Sequence, residues 1–343
     1  MVAEESTRFK AWLIFDRICL DAAPNGEHTN PWVMDSSGEV RYEPDFDVLE
    51  RLLGVPLYLD APTTSGVPAL ALDVWVSYEL RRAGFSPDAT WPRAEHPRIL
   101  PAPIANLLRS LKGKERDLLT ARLTKHGPIR GVTSASANIL GKNYLKQVDV
   151  VMSDWDTGPE LLISTKRMDS SFGKNAANRV EESYGDAKNL RLRHPLAALG
   201  FVYGLRSTIL TEETKKARWL IDLLQKLGRE DDAYHAVALI MIDYATEVAS
   251  ADDSEEDDSD DPLVAAGLEP ETEDHDDQVE EVPVSAVETA LNNLPRVTIR
   301  HDTVPPALQP SRFLELMVKR VIDATPVDRH EIARDRLESP RTR

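Results

Sequence analysis

Cysteine is almost missing: Cys19 is the single thiol in 343 residues. Without a second one, an intrachain disulfide is excluded, and so is any zinc site built on a cysteine cluster. Long apolar runs are missing too, and none approaches the roughly 18 residues that a membrane-spanning helix requires. The early apolar stretch 11–15 is cut by Asp16 and Arg17 and preceded by Glu4 and Glu5, which argues against a secretory signal. The expected location is the cytoplasm, with no membrane partner. What is present suffices for a core: 41% of the residues are hydrophobic. The length leaves room for two domains, or for one large domain with an appendage.

Basic residues are absent from 252–281, where sixteen of the 58 acidic residues lie. The formal net charge of −17 comes almost wholly from that segment, and the rest of the chain is near neutral. Like charges repel along such a block, and it holds too little apolar surface to offset its ordering entropy. Residues 249–283 are therefore expected to form a disordered acidic linker. It acts either as a spacer or as a polyanion that competes with nucleic acid for a basic cleft.

Two stretches of the remaining sequence are basic. Residues 109–130 carry seven Lys and Arg against two acids, and 166–193 carry seven against four. Such stretches on a near-neutral body suit contact with phosphate backbones, although a solvated helix face gives the same pattern.

Residues 1–130 are expected to be mainly helical. The spacing over 68–82 predicts a helix that stops at Gly84, and the proline-rich 87–103 predicts irregular chain. The leucines at 107–123 predict a basic amphipathic helix, or a helix pair around Gly113. After Gly131 the character changes, and 131–248 is expected to be an α/β core. The run 147–152, the turn cluster 153–159 and the run 160–166 predict a β-hairpin. A helix is expected over 174–190, a strand over 196–205, a helix over 211–227 and a strand over 234–244. Residues 284–343 are expected to form a C-terminal helical segment with an amphipathic helix over 310–324.

Alternation along the hairpin puts Ser164 and Lys166 on one face of the second strand. Glu160 has the same parity but lies about 20 Å away at ~3.3 Å per residue, too far to serve the same site. Asp149, on the preceding strand, reaches Ser164 and Lys166 only if the strand pairing has the right offset. An acid in an apolar strand is costly to bury unless it is paired, hydrogen-bonded or hydrated.

The order Asp149, turn, Ser164-Thr165-Lys166, helix resembles the PD-(D/E)XK nuclease superfamily, which includes many restriction endonucleases. Asp149 matches the family's Asp, although Val148 stands where proline is usual. Lys166 matches the Lys, and Ser164 occupies the acidic position of the triplet. The sequence is similar to a variant with Ser-x-Lys, in which the missing carboxylate comes from the following helix. Glu181, fifteen residues after Lys166, stands one residue from that variant's spacing, and Glu182 is the alternative. With Ala176, Ala177, Val180, Tyr184 and Ala187 taken as the buried face, Glu181 lines its edge and Glu182 points away.

The resemblance implies an α/β fold, a restriction-endonuclease-like mixed sheet flanked by helices. It implies a Mg²⁺-dependent DNA endonuclease of restriction or phage defence, with Mn²⁺ as a substitute. Asp149 and Glu181 would hold the metal, Lys166 and Ser164 would complete the catalytic set, and Lys174, Arg179, Lys188 and Arg191 would contact double-stranded DNA. A homodimer follows from the need to cut two strands. The rival expectation is a catalytically inactive nuclease-like subunit that binds DNA or assembles a defence complex.

Other chemistries find less support. A Ser–Lys hydrolase needs a hydrogen-bonded pair that neighbouring positions on one strand face seldom give. No Gly-rich phosphate loop ends in Gly-Lys-Ser/Thr. The eight histidines lack ligand spacing, and Glu79 is expected on the solvated side of its helix.

Overall fold

The strand over 198–206 is apolar at nearly every position, a pattern that suits a strand covered on both faces within a parallel sheet. The computed structural model describes residues 7–125, 129, 132–133, 137–170, 172, 176–245 and 283–342. In chain order the helices are α1 (Thr7–Ala22), α2 (Phe46–Tyr58), α3 (Val67–Ala83), α4 (Ala102–Ser110), α5 (Lys114–Lys125), α6 (Ala176–Arg191), α7 (Ile209–Glu212), α8 (Thr214–Leu227), α9 (Val284–Asn292), α10 (Pro310–Ala324) and α11 (Glu331–Glu338). The strands are β1 (Trp32–Met34), β2 (Val40–Tyr42), β3 (Thr90–Trp91), β4 (Asn138–Leu140), β5 (Leu145–Gln147), β6 (Val150–Asp154), β7 (Gly158–Met168), β8 (Ala198–Arg206), β9 (Ala236–Tyr244), β10 (Val297–Ile299) and β11 (Arg341–Thr342).

Six strands form the main sheet in the order β10-β9-β8-β7-β6-β3. β8 runs parallel to both β7 and β9, while β6 pairs antiparallel with β7 as the expected hairpin. Gly158, at φ +73°, supplies the left-handed turn residue that most side chains resist. Beyond Gly158 the strand is almost entirely buried.

Helices cover both sheet faces, so the architecture is a mixed α/β layer fold. Leu161 and Ile163 of β7, Ala198 and Val202 of β8 and Ile240 of β9 join an apolar cluster with α1, α2, α3 and α10. Leu162, Phe201, Tyr203 and Leu239 point the other way, into a second cluster with α6 and α8. Burial of two such faces dominates the stabilisation, at about 25 cal/mol per Å² of apolar surface.

The expected division into 1–130, 131–248 and 284–343 does not mark separate cores. Ala11, Leu72, Ile240 and Phe313 belong to one cluster. The sheet also takes β3 from the N-terminal region and β10 from the C-terminal one. An amphipathic pattern tells that a helix has a buried face, not which element covers it. The acidic segment, expected over 249–283, lies almost wholly outside the described residues. The chain on its two sides returns to one sheet edge, where Val297 pairs with Tyr244. The expected helix over 211–227 is split at Glu213, whose non-helical backbone (φ −133°, ψ 49°) separates α7 from α8. The leucine-rich stretch forms the helix pair α4–α5.

Glu79 corrects a further expectation. It is fully buried on α3. Its carboxylate accepts from the Tyr42 hydroxyl at 2.9 Å and from the Asp45 amide at 2.6 Å, and it pairs with Arg82 at 3.0 Å. The hydrogen bonds compensate a charge that burial would otherwise penalise.

Gly200 lets α10 settle on the sheet. A Cβ there would lie 2.7 Å from the Phe313 ring and 3.0 Å from the Met317 methyl. Gly200→Ala is expected to destabilise the fold by about 1–3 kcal/mol through overpacking. Urea unfolding checks this, and Phe313→Leu in the same chain should recover part of the loss.

His235 predicts an acid sensitivity. Its Nδ1 accepts the Leu199 amide at 2.9 Å. Burial, then the charges of Arg320 and Arg191, lower its pKa from 6.5 to about 3. Between those values the unfolded chain binds a proton that the folded chain does not, so stability falls as pH drops through that window. His235→Gln is expected to make the melting temperature depend less steeply on pH there. A residual slope should persist, because His28 is likewise lowered to about 4.

Candidate active site

The hairpin register places the sequence-predicted pair together. Val151 faces Leu162 and Val150 faces Ile163, and one further step brings Asp149 opposite Ser164. The Thr165 amide donates to Asp149 Oδ2 at 2.7 Å, which fixes that carboxylate across the hairpin. Ser164 and Lys166 alternate with Thr165 and share the sheet face of Leu162, under α6. Ser164 is buried.

A cavity of about 250 Å³ opens here. Asp149, Ser164, Lys166 and Glu182 line it, with Lys146, Asp186 and Tyr234 beside them. Elements of the other helical layer complete the lining: Arg8 of α1 and Thr64, Ser65 and Gly66 of the turn before α3.

Of the two candidate glutamates of α6, Glu182 lines the cavity and Glu181 does not, which corrects the expectation that Glu182 points away. Both side chains are exposed, but only that of Glu182 borders the cavity. The buried face of α6 runs through Val180, Ser183, Asp186, Ala187, Asn189 and Leu190. Counting apolar residues alone turns this face toward Tyr184, because three of its positions are polar. Each of the three has a partner. Ser183 O accepts from the Tyr234 hydroxyl at 3.0 Å. Asp186 pairs with Lys146 at 3.0 Å and accepts from the Tyr144 hydroxyl at 3.0 Å. Burial, then the Asp186 charge, pushes the Tyr144 phenol up to about 12, so it stays a donor at neutral pH.

Asn189 ties α6 to the β4–β5 ribbon. Its Oδ1 accepts the Asn143 amide at 2.9 Å, and its Nδ2 donates to Tyr144 O at 3.1 Å. The approach is so close that a Cβ on Gly141 would lie 2.1 Å from the Asn189 amide nitrogen. The ribbon carries Lys146 to the cavity, so this contact sets the helix that bears Glu182 against the chain that leads to Asp149.

Asp73 is the site-adjacent acid that the sequence analysis missed. Its Oδ1 accepts the Thr165 hydroxyl at 2.5 Å, on the sheet face opposite Ser164. Burial, then the charge of Asp149, pushes its carboxyl well above the usual carboxylate range, and the Thr165 hydrogen bond and Arg8 oppose this. The available signal was an acid inside the otherwise apolar run Ala69-Leu70-Ala71-Leu72-Asp73-Val74 of a predicted helix.

Of the expected DNA contacts, the two whose side chains are described, Lys188 and Arg191, do not line the cavity. Lys174 lies outside the described residues, and so does the Arg179 side chain. Lys188 pairs with Asp232 at 3.0 Å, and Arg191 donates to Ala233 O at 2.9 Å. Both are tied to the loop before β9.

Among the described residues, no group of three or more His, Cys, Asp or Glu could hold a metal ion. Asp149, Glu182 and the Ser164 hydroxyl do share the cavity with Asp186, which is paired with Lys146, and these are hard oxygen donors of the kind Mg²⁺ takes while keeping several waters. No helix among the described residues is long and apolar enough to cross a membrane. No protein-family model, no curated protein and no solved structure matches this chain.

The correction on α6 is directly testable. Glu182→Gln is expected to weaken Mn²⁺ binding by at least the roughly 10–100-fold that losing even an outer-shell partner costs. Glu181→Gln should leave it within a factor of about two, since an exposed side chain outside the cavity holds no ligand position. Titration calorimetry with the divalent ion distinguishes the two.

Proposed function

We propose that this chain is a metal-dependent endonuclease that hydrolyses phosphodiester bonds of double-stranded DNA, with a restriction-endonuclease-like core. The observation that carries the reading is the cavity where Asp149, Ser164, Lys166 and Glu182 meet on one strand-turn-strand-helix unit. That unit has the order and residue types of the nuclease variant with Ser-x-Lys and a carboxylate on the next helix.

Asp149 and Glu182 would hold Mg²⁺, with Mn²⁺ as a substitute. When bound, the ion would polarise the scissile phosphate and lower the pKa of a coordinated water. Lys166 would orient the attacking water and offset charge developing on the phosphate. Ser164, which lines the cavity beside these groups, would support the metal's surroundings by hydrogen bonding from the strand. Cutting both strands requires two such sites, so the working form is a homodimer, and restriction or phage defence is the setting that suits such an enzyme.

A second reading is favoured by a specific departure: Ser164 stands where the family's triplet has an acid, and no three-ligand cluster occurs among the described residues. It makes the chain a catalytically inactive nuclease-like subunit that binds DNA or assembles a defence complex. Plasmid DNA with Mg²⁺ or Mn²⁺ separates the readings. The nuclease cuts the plasmid, and the inactive subunit shifts it intact on a gel. For the nuclease, Lys166→Ala is expected to lower cleavage at least ~10²–10³-fold, as loss of a group stabilising transition-state charge does. DNA binding by this variant should be retained.

A further inference from the structure

The cavity wall that the family resemblance leaves unassigned is the one built by the N-terminal region. We infer that Arg8, helped by Thr64, contacts a backbone phosphate adjacent to the scissile one, which makes α1 part of the nucleic-acid site. The inference rests on the nuclease reading, and it names which part of the DNA strand this wall takes.

Three cations line the cavity: Lys146, Lys166 and Arg8. Lys146 is committed to Asp186 at 3.0 Å and is buried, so its charge is largely neutralised in place. Lys166 stands on β7, one residue from Thr165, whose amide holds Asp149, and is therefore placed at the reacting phosphate. Arg8 comes from a different layer of the fold. A strand of DNA entering the cavity carries a phosphate on every nucleotide, so a phosphate next to the scissile one must meet some other part of the lining.

The guanidinium is the group suited to that task, because its planar fork matches two phosphate oxygens. Thr64 lines the same cavity, and its hydroxyl makes no hydrogen bond among the described residues. Ser65 contributes less, since its hydroxyl already donates to Pro62 O at 2.6 Å. Gly66 presents no side chain, and a Cβ there would meet nothing within 4 Å, so this part of the wall is open to a ligand. Arg8 also stands near Asp73, whose carboxyl it pulls downward. The competing role is thus purely internal, the neutralisation of Asp73.

The slope of affinity against salt separates these roles, because it counts phosphates neutralised. Binding of the full chain to a labelled DNA duplex is measured by fluorescence anisotropy between about 50 mM and about 200 mM salt, with a fixed concentration of Ca²⁺ in place of Mg²⁺. Arg8→Gln is expected to weaken binding at low salt and to reduce the slope of log K against log salt by about 0.9 for a duplex. Arg8→Lys should restore most of the slope, since one positive charge remains. An unchanged slope with a lower melting temperature assigns Arg8 to Asp73 and overturns the inference, and so does an unchanged slope in a stable variant. Should Arg8→Gln fold poorly, Thr64→Val provides the second arm: weaker binding with an unchanged slope is expected, and unchanged affinity counts against this wall. Wild-type chain that binds no DNA removes the nuclease reading and the inference together. Wild-type binding with an indifferent Arg8 removes the inference alone.

Discussion

Covering the central strands on both faces is the constraint on which everything else depends. β8 is buried along all but its last residue, between β7 and β9 and between two helical layers. Polar groups can then enter only where a strand leaves the apolar sandwich and finds partners. On β7 that happens from Ser164 onward, and each polar residue there is answered. Thr165 bonds Asp73 of α3. Arg167 pairs with Asp169 at 2.9 Å and donates to Pro68 O at 3.3 Å. Ser164 and Lys166 turn to the α6 side, so the same alternation that builds two cores also splits the polar end of β7 into a supporting set and a cavity-facing set.

This division gives the groups of the site their partners before any ligand arrives. The Asp149 carboxylate accepts from a backbone amide, a donor with no rotamer of its own. α6 is held by Asn189 and by the Lys146–Asp186 pair, both anchored on the β4–β5 ribbon. Groups fixed by their surroundings need no reorganisation when a charge develops, which is where preorganised sites gain most. The cost is borne by desolvating several ionised groups, and each has a partner that offsets part of it.

Much of this was legible in the sequence, and the parts that were not share one physical cause. The hairpin, the parallel strands and the helix Pro310–Ala324 stand out because their periodicity is local and their turns carry glycine or proline. Asp149, Ser164 and Lys166 were legible as a strand-borne set, while the register that makes Asp149 meet Ser164 is a pairing property and had to be seen. The phase of α6 was misjudged because Ser183, Asp186 and Asn189 are buried by virtue of distant partners. Glu79 escaped for the same reason, its partners Tyr42 and Asp45 lying more than thirty residues upstream. Asp73 meets Thr165 across 92 residues of chain. Buried polar residues are defined by tertiary partners, and a hydrophobic pattern carries no record of them.

The charge balance of the cavity bears on how a polyanion would enter it. Its lining holds three cations, Arg8, Lys146 and Lys166, against three carboxylates, Asp149, Glu182 and Asp186. A phosphate approaching such a wall gains little from the sum of the charges and must rely on their order in space. One carboxylate is neutralised locally, since Asp186 is taken by Lys146. Asp149 and Glu182 are the other two carboxylates of the lining, and Lys166 and Arg8 its other two cations. A divalent ion between the two carboxylates would cancel their repulsion for the substrate and leave the two cations in excess. On the proposed reading, metal binding therefore turns a balanced cavity into an attractive one. The requirement for the ion would then be felt in substrate binding as well as in the chemical step.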